Sequence, residues 1–293
     1  MKKQIYLIII VLLLCQFEGA GQKFYILGSG GYSFGFLREF MPAFSTTAQI
    51  KGDTIFSYVD QNETHRVSFG SGASFSLGIG TTLNNYLSIE LTGFINACHA
   101  LKFKTSEYYN YPNEKFFIDF NESHTYKGGE FGLIPAIKFR PVSGNITPYA
   151  KVGLLISCIN LTYTYEGNYL TTHPQYYPTS HESYTYEMKR KLNLGANVAI
   201  GVDFYLIDLL SIFVEANGNF INYVPNKAVY TEYIVNGKDE LKNLTLPERE
   251  VEFVNSFSST GNQDITEPSK QLKITVPFSS LGLQAGIRFN FYR

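Results

Sequence analysis

The sequence predicts an all-β chain: an antiparallel up-and-down barrel of eight strands that crosses a membrane and carries long loops at one end. Three observations predict it. Segments in which apolar and polar residues alternate recur eight times between turn residues, as strands with one face toward lipid require. The connections between them are alternately short and long, which is how transmembrane barrels are strung. Beyond the N-terminal leader no apolar stretch is long enough to cross a bilayer as a helix, so strands must do the crossing.

In chain order, Lys2 and Lys3 precede an apolar run from Ile5 to Leu14 that is too short to span a membrane. With small residues at Gly19 and Gly21, residues 1–21 read as a secretory signal peptide, cleavage after Ala20 being the neighbouring alternative. Leu14 stands before Cys15 where lipid attachment needs Gly, Ala or Ser, which argues against a lipoprotein. Residues 22–293 then form one barrel domain with no second domain, internal repeat or low-complexity segment.

The strands are placed near 23–35, 66–80, 86–98, 128–140, 148–161, 189–205, 209–223 and 276–291. In the third, Leu87, Ile89, Leu91, Ile95 and Ala97 fall on one face, with Ser88, Glu90, Thr92, Asn96 and Cys98 on the other. The sixth repeats this with Leu192, Leu194, Ala196, Val198, Ile200, Val202 and Phe204 against Asn193, Asn197 and Asp203. The first, with Gly28, Gly30 and Gly31, has ambiguous parity.

Alternation alone also suits a soluble barrel, and the connections decide between the two. Short turns at Asn84-Asn85, Pro141 to Thr147 and Ile207-Asp208 alternate with long links near 36–65, 99–127, 162–188 and 224–275. An even strand count puts both termini on the short-turn, periplasmic side. Tyr163-Thr164-Tyr165 faces Tyr184-Thr185-Tyr186 across the third loop, so strands five and six are expected to run on above the membrane. Asn236-Gly237 after Val229 to Val235 signals a small hairpin in the fourth loop, with ten membrane strands as the alternative. Cys98 points inward and Cys158 outward on non-adjacent strands, so both are expected as thiols.

If the apolar faces meet lipid, the ionisable residues of the other face point into the lumen: Glu90, Lys138, Arg140, Lys151, Asp203, Glu215 and Arg288. All lie near a short turn or the chain end, hence at similar height. Lys138, Lys151 and Arg288 balance Glu90, Asp203 and Glu215 in sign. The interior of eight strands is just filled by side chains, and charges held there must pair, because an isolated ion costs several kcal/mol. An ion-pair network closing the lumen is the expectation; a wet, loosely screened interior is the alternative. Gly70, Gly72, Ser74, Ser76, Gly78 and Gly80 make room for long partners or leave a narrow water path.

A formal net charge of −1 argues against nucleic acid. The histidines His65, His99, His124, His173 and His181 fall in or beside loops at spacings matching no ligand motif, so neither metal nor cofactor is assigned. Glu122-Ser123-His124 does not make a catalytic triad, because neighbours on an extended chain point to opposite faces. No catalytic residue is assigned. Tyr108, Tyr109, Tyr111, Phe116, Phe117 and Phe120 crowd the second loop, and Tyr163, Tyr165, Tyr169, Tyr176, Tyr177, Tyr184 and Tyr186 the third. They suit contact with a surface protein or glycan, or pack on one another to stabilise extended strands.

The C-terminal run from Gln284 to Phe291 combines a polar residue, Gly286 two positions on, and aromatics at Phe289 and Phe291. It resembles the assembly signal that closes bacterial outer-membrane barrels, although Tyr292 and Arg293 follow where many such chains stop. With the leader and strand pattern, the whole chain resembles the small outer-membrane β-barrel proteins of the OmpA-like transmembrane and porin superfamily. That resemblance implies an integral barrel in the outer membrane of a Gram-negative bacterium, in contact with its lipid and with the barrel assembly machinery during biogenesis. It transfers no active site. The functional expectation is a non-enzymatic structural or surface-interaction barrel acting through its tyrosine-rich loops. A narrow porin-like channel for small solutes is the alternative, and a lipid-modifying enzyme or protease the third.

Overall fold

A computed structural model of the chain describes residues 23–36, 39–41, 65–111, 116–141, 144–171, 179–189, 192–258 and 264–291. The leader, with its cleavage site and Cys15, lies outside the described residues.

Eight strands close into the barrel: β1 (Lys23–Gly35), β2 (Gly72–Thr82), β3 (Leu87–Cys98), β4 (Phe116–Phe139), β5 (Ile146–Thr171), β6 (Asn193–Ile207), β7 (Leu210–Phe220) and β8 (Ser280–Phe291). Each pairs antiparallel with its sequence neighbour, and β8 returns to β1 in continuous register from Phe24 opposite Phe291 to Gly35 opposite Ser280. No barrel strand is left with an open edge, so the backbone groups of the wall are satisfied without water.

The alternating residues divide as the sequence dictates. Leu77 is 74% exposed and Ile200 67%, and the belt continues through Phe75, Ile95, Ile137, Val152, Val214 and Leu283 on the other strands. An apolar ring of this extent faces lipid, because no soluble monomer exposes one. Exposed Phe24, Tyr86, Phe139 and Phe291 gather at the short-turn end, and Phe34 and Phe131 at the other, supplying the aromatic girdles in a chain without Trp.

Several boundaries differ from expectation. β2 starts at Gly72, not near 66, because Phe69-Gly70 forms a turn that folds inward. β7 stops at Phe220 and β8 starts at Ser280 for a related reason: Ile221 to Tyr223 and Val276 to Ser279 leave the wall to cover the barrel mouth. The tight turn between β6 and β7 is Asp208-Leu209, one residue later than expected.

β4 and β5 continue far past the lipid belt. Their upper halves pair from Ile118 opposite Thr171 down to Tyr126 opposite Tyr163. The strand Leu101–Tyr111 adds to one side, and Ser180–Lys189, Lys227–Val235, Glu250–Val254 and Ser269–Leu272 add in turn to the other. The expected pairing of the two Tyr-Thr-Tyr triplets is present, with Tyr163 opposite Tyr186 and Tyr165 opposite Tyr184. The Asn236-Gly237 turn is formed as well, both residues at positive φ of 53° and 78°, as this two-residue hairpin type requires. Its strands belong to this outer sheet, so the membrane wall has eight strands and not ten. No disulfide joins Cys98 and Cys158.

Candidate functional site

The structure brings together six of the seven lumenal ionisable residues. Lys138 Nζ lies 2.8 Å from Asp203 Oδ2 and Arg288 Nη1 lies 2.7 Å from the same oxygen. Lys151 Nζ lies 2.8 Å from Glu215 Oε2. Glu90 is the hub, with Lys138 at 3.8 Å, Lys151 at 3.6 Å and Arg288 at 3.8 Å. Lys138 and Lys151 are direct cross-strand neighbours, which like charges tolerate only with anions between them, and the Glu90 carboxylate reaches both. All six are buried, so the layer amounts to a solid, charge-balanced disc across the lumen.

Aromatics frame this disc. The Tyr25 and Tyr149 hydroxyls donate to Glu90 and Glu215 at 2.9 Å each, while Lys138 sits 3.5 Å above the Tyr149 ring. Both tyrosines lie opposite glycines, Gly80 and Gly201, where a Cβ would come within 2.3 Å and 2.5 Å of the ring. Space for the long partner is what those glycines supply. Of the residues read from the sequence, Arg140 does not join the network. It follows the last residue of β4, so its side chain crosses the rim and donates to Ser88 Oγ at 2.9 Å, and to Thr82 Oγ1 and the Tyr205 hydroxyl at 3.3 Å.

Above the disc lies a polar chamber lined by Ser33, Ser74, Ser76, Thr92, Asn197 and Asn217, with about 40 Å³ open to the centres of water molecules, room for about three waters. Above that the mouth is shut by an apolar cap. Phe69 from the first long connection stacks on Phe278 from the fourth at 5.6 Å between ring centroids, and Tyr223 meets Phe278 edge-on at 5.8 Å. These three are at most 1% exposed and pack with Leu155, Ile159 and Ile221. Backbone bonds join the cap's two loops, with Phe69 N donating to Pro277 O at 2.9 Å, and tie it to the end of β1, with Phe36 N donating to Ser279 O at 2.8 Å. Sequence reasoning missed this closure, since nothing local marks a loop apolar residue as inward.

The outer sheet carries a tyrosine face. Ring centroids separate Tyr126 from Tyr163 by 4.7 Å, Tyr163 from Tyr186 by 4.8 Å, and Tyr165 from Tyr184 by 4.7 Å. Tyr230 extends the ladder at 5.3 Å from Tyr184. Alternation puts these rings on the side continuous with the lumen and the Thr and Glu residues between them on the other. Beside the ladder, Glu122 Oε1 accepts from the Tyr165 hydroxyl at 2.8 Å, and His124 Nδ1 meets the Tyr163 hydroxyl at 2.7 Å. The neighbouring His124 ring, with the Tyr165 and Tyr169 hydroxyls, holds the Glu122 carboxyl below its ordinary range. Burial pushes the Tyr163 and Tyr165 phenols well above theirs, and Tyr184 to about 12. Tyr108, Tyr109 and Tyr111 lie on the strand paired with the upper part of β4, and Tyr176 and Tyr177 are outside the described residues.

Each residue type of the C-terminal run has a place in β8. Gln284 points inward and accepts a hydrogen bond from Ser29 Oγ at 3.1 Å, Gly286 leaves room for the Phe213 ring, and Phe289 and Phe291 face outward. Tyr292 and Arg293 lie outside the described residues.

No family model and no curated protein matches the sequence. Among solved structures, the chain is similar to a major outer membrane protein from Thermus thermophilus, at 11% identity over 92% of this chain and 99% of that one, TM-score 0.42. It is also similar to the outer membrane protein OprG from Pseudomonas aeruginosa, at 10% identity over 94% and 97%, TM-score 0.40. Neisserial surface protein A is similar at 11% identity over 94% and 100%, TM-score 0.34. At such distances no residue's role is carried across. The closed wall and its lipid-facing belt decide the class. This chain is an eight-stranded transmembrane β-barrel.

In this barrel the disc was legible from parity and depth. The ladder was half legible: Tyr163, Tyr165, Tyr184 and Tyr186 came from two matched triplets, whereas Tyr126 and Tyr230 join only through the sheet order. Glu130 was overlooked, although parity on β4 also turns it inward, to 2% exposure opposite Asn96.

Proposed function

We propose that this outer-membrane barrel is a closed surface-interaction protein whose tyrosine-faced sheet, held outside the cell with both termini in the periplasm, is its contact region for a surface protein or glycan. One observation carries this reading: the lumen is filled twice, by the charged disc and by the apolar cap, while β4 and β5 are prolonged into a sheet with no part in crossing the membrane. Tyrosine presents large amphipathic area at low entropic cost, and a ladder already packed is rigid before any partner arrives. The barrel is non-enzymatic on this reading, Ser123 lying on the opposite face of β4 from Glu122 and His124. The C-terminal residues Gln284, Gly286, Phe289 and Phe291 serve as the assembly signal.

The test has two parts. Purified barrel in a planar lipid bilayer is expected to give no discrete conductance, and cells displaying it are expected to lose adhesion, with unchanged permeability, when residues 162–188 are deleted. The polar chamber between disc and cap favours one second reading, a narrow solute channel. Reproducible current steps, and solute uptake lost on the same deletion with adhesion intact, would establish that reading instead.

A further inference from the structure

One lumenal carboxyl stands apart from the disc. Glu130 is buried under the apolar cap, both its oxygens lack a hydrogen-bond partner, and among the described residues no cation pairs with it. Register puts Asn96 of β3 directly opposite it on one side and Ile159 of β5 on the other. The polar side chains beside the carboxyl are Asn96 and Ser157, both at most 3% exposed. Asn96 Oδ1 and Ser157 Oγ are without partners as well. Three neighbouring groups thus present oxygen to one another, and two of them, an ionised carboxylate and an amide oxygen, could only accept.

Asn96 is not free to turn its nitrogen to the carboxyl, because Nδ2 already donates to Gly70 O at 3.2 Å. Gly70 belongs to the turn that carries Phe69 into the cap, and a Cβ there would lie 2.3 Å from Phe278 O, so the turn and Phe278 pack without slack. The Asn96 amide therefore grips the cap with its nitrogen and faces Glu130 with its oxygen. One proton on Glu130 resolves the mismatch. The acid O–H donates to Asn96 Oδ1, the Ser157 hydroxyl turns to the acid's other oxygen, and the amide is fixed in the orientation that holds Gly70. Without that proton the carboxylate is buried with no counter-ion, and as the stronger acceptor it draws Asn96 Nδ2 away from Gly70 O.

We propose that Glu130 and Asn96 form a proton-controlled latch on the cap, closed while Glu130 is the neutral acid and released when it ionises. Release opens the polar chamber to the long-loop side while the disc below keeps the lumen shut. It breaks the bond from Asn96 to Gly70, admits water to the carboxylate and passes one proton to solvent; nothing is oxidised or reduced. The closed state holds one proton more than the open state, so closure weakens as pH rises, by at most about tenfold in the closed-to-open ratio per pH unit. Among the described residues, the other titratable groups around Glu130 are the Cys98 thiol on β3, the Tyr126 phenol on β4 and the Tyr223 phenol in the cap, with Lys151 and Glu215 at the chamber floor. From β5, Ser157 and Ile159 add none. Lys151 and Glu215 hold each other at 2.8 Å, and ordinary thiols and phenols carry little charge below about pH 8.

The experiment follows hydrogen exchange of the folded full-length barrel in detergent micelles from about pH 5 to about pH 8, corrected for the intrinsic pH dependence of amide exchange. Phe69 N, bonded to Pro277 O, and Phe278 N, bonded to Ile221 O at 3.2 Å, report the cap, and the paired amides of β6 and β7 report the wall. Protection at Phe69 and Phe278 is expected to fall by about tenfold or more across this range while the wall stays constant. Glu130→Gln, whose amide donates to Asn96 Oδ1 with no proton to lose, should keep the cap protected at both ends of the range, and Asn96→Ala should loosen it at both. Cys98 packs against the cap and gives a second readout. Its labelling by a small maleimide in a Cys158→Ser background, taken as a ratio to the Glu130→Gln variant at the same pH so that thiolate formation cancels, should rise with pH. Wild-type cap protection that is flat with pH, or that falls equally in Glu130→Gln, overturns the proposal, and so does a cap untouched by Asn96→Ala. Heat-modified gel migration confirms that each variant is folded; if Glu130→Gln fails that check, the wild-type contrast between cap and wall decides alone. No readout involves adhesion or conductance, so the latch stands or falls apart from the proposed function.

Discussion

Replacing Lys151 and Arg288 together by Met puts the charged disc to a quantitative test. The wild-type layer holds three cations and three anions, and the double replacement leaves Lys138 alone against Glu90, Asp203 and Glu215. Glu215 loses Lys151 at 2.8 Å and keeps the Tyr149 hydroxyl at 2.9 Å. Glu90 loses partners at 3.6 Å and 3.8 Å and keeps Lys138 at 3.8 Å, while Asp203 loses Arg288 at 2.7 Å and keeps Lys138 at 2.8 Å. Breaking one buried pair costs about 3–5 kcal/mol, because the remaining charge stays buried without its counter-ion. The two losses share Glu90, so they do not simply add; about 4–8 kcal/mol is expected for the pair. Adding Glu90→Gln and Glu215→Gln removes both stranded anions and should restore most of the loss, although four hydrogen-bonding groups are then changed. The assay is urea unfolding of the barrel in lipid vesicles, followed by heat-modified gel migration. A midpoint unchanged in the double variant, or lowered further by the two Gln substitutions, refutes the claim that pairing holds the disc together. Conductance in the same bilayers should stay absent, since the cap still closes the mouth.

Phe278→Ala empties the centre of the cap, where the ring is fully buried against Phe69 and Tyr223, and should cost about 3–5 kcal/mol. Hydrogen exchange should rise around Phe69 and Tyr223 and not in the wall below. Gly80→Ala places a Cβ about 2.3 Å from the Tyr25 ring, which must move and weaken its bond to Glu90, and should lower stability by about 1–3 kcal/mol in the same urea assay. The Glu122 carboxyl has a depressed folded-state pKa, so its contribution is complete above the ordinary carboxylate value and is lost as pH falls through the lowered one. Proteolysis of the outer sheet should therefore accelerate on acidification below about pH 4.5, the ordinary carboxylate range, and Glu122→Gln should flatten that dependence; equal profiles would remove Glu122 from the account.

What the sequence determined by itself are the features governed by a two-residue period. Alternation assigned Leu91, Ile95, Leu194 and Ile200 to lipid and Glu90, Lys138, Lys151, Asp203, Glu215 and Arg288 to the lumen, because parity in a strand admits only two faces and the bilayer fixes which is apolar. The Asn236-Gly237 turn and the facing Tyr-Thr-Tyr triplets were legible for the same local reason. Tertiary structure decided everything that depends on two distant segments meeting. Arg140 has the right parity but stands past the end of β4, so the rim claims it and the disc does not. Phe69 and Phe278 lie more than two hundred positions apart and become a cap only when both loops fold inward over a lumen already closed. Glu122 and His124 read as two polar residues of a loop until the register with β5 sets Tyr165 beside one and the bare Gly167 beside the other. Periodicity tells which way a side chain points, and only the register between strands tells what it meets there.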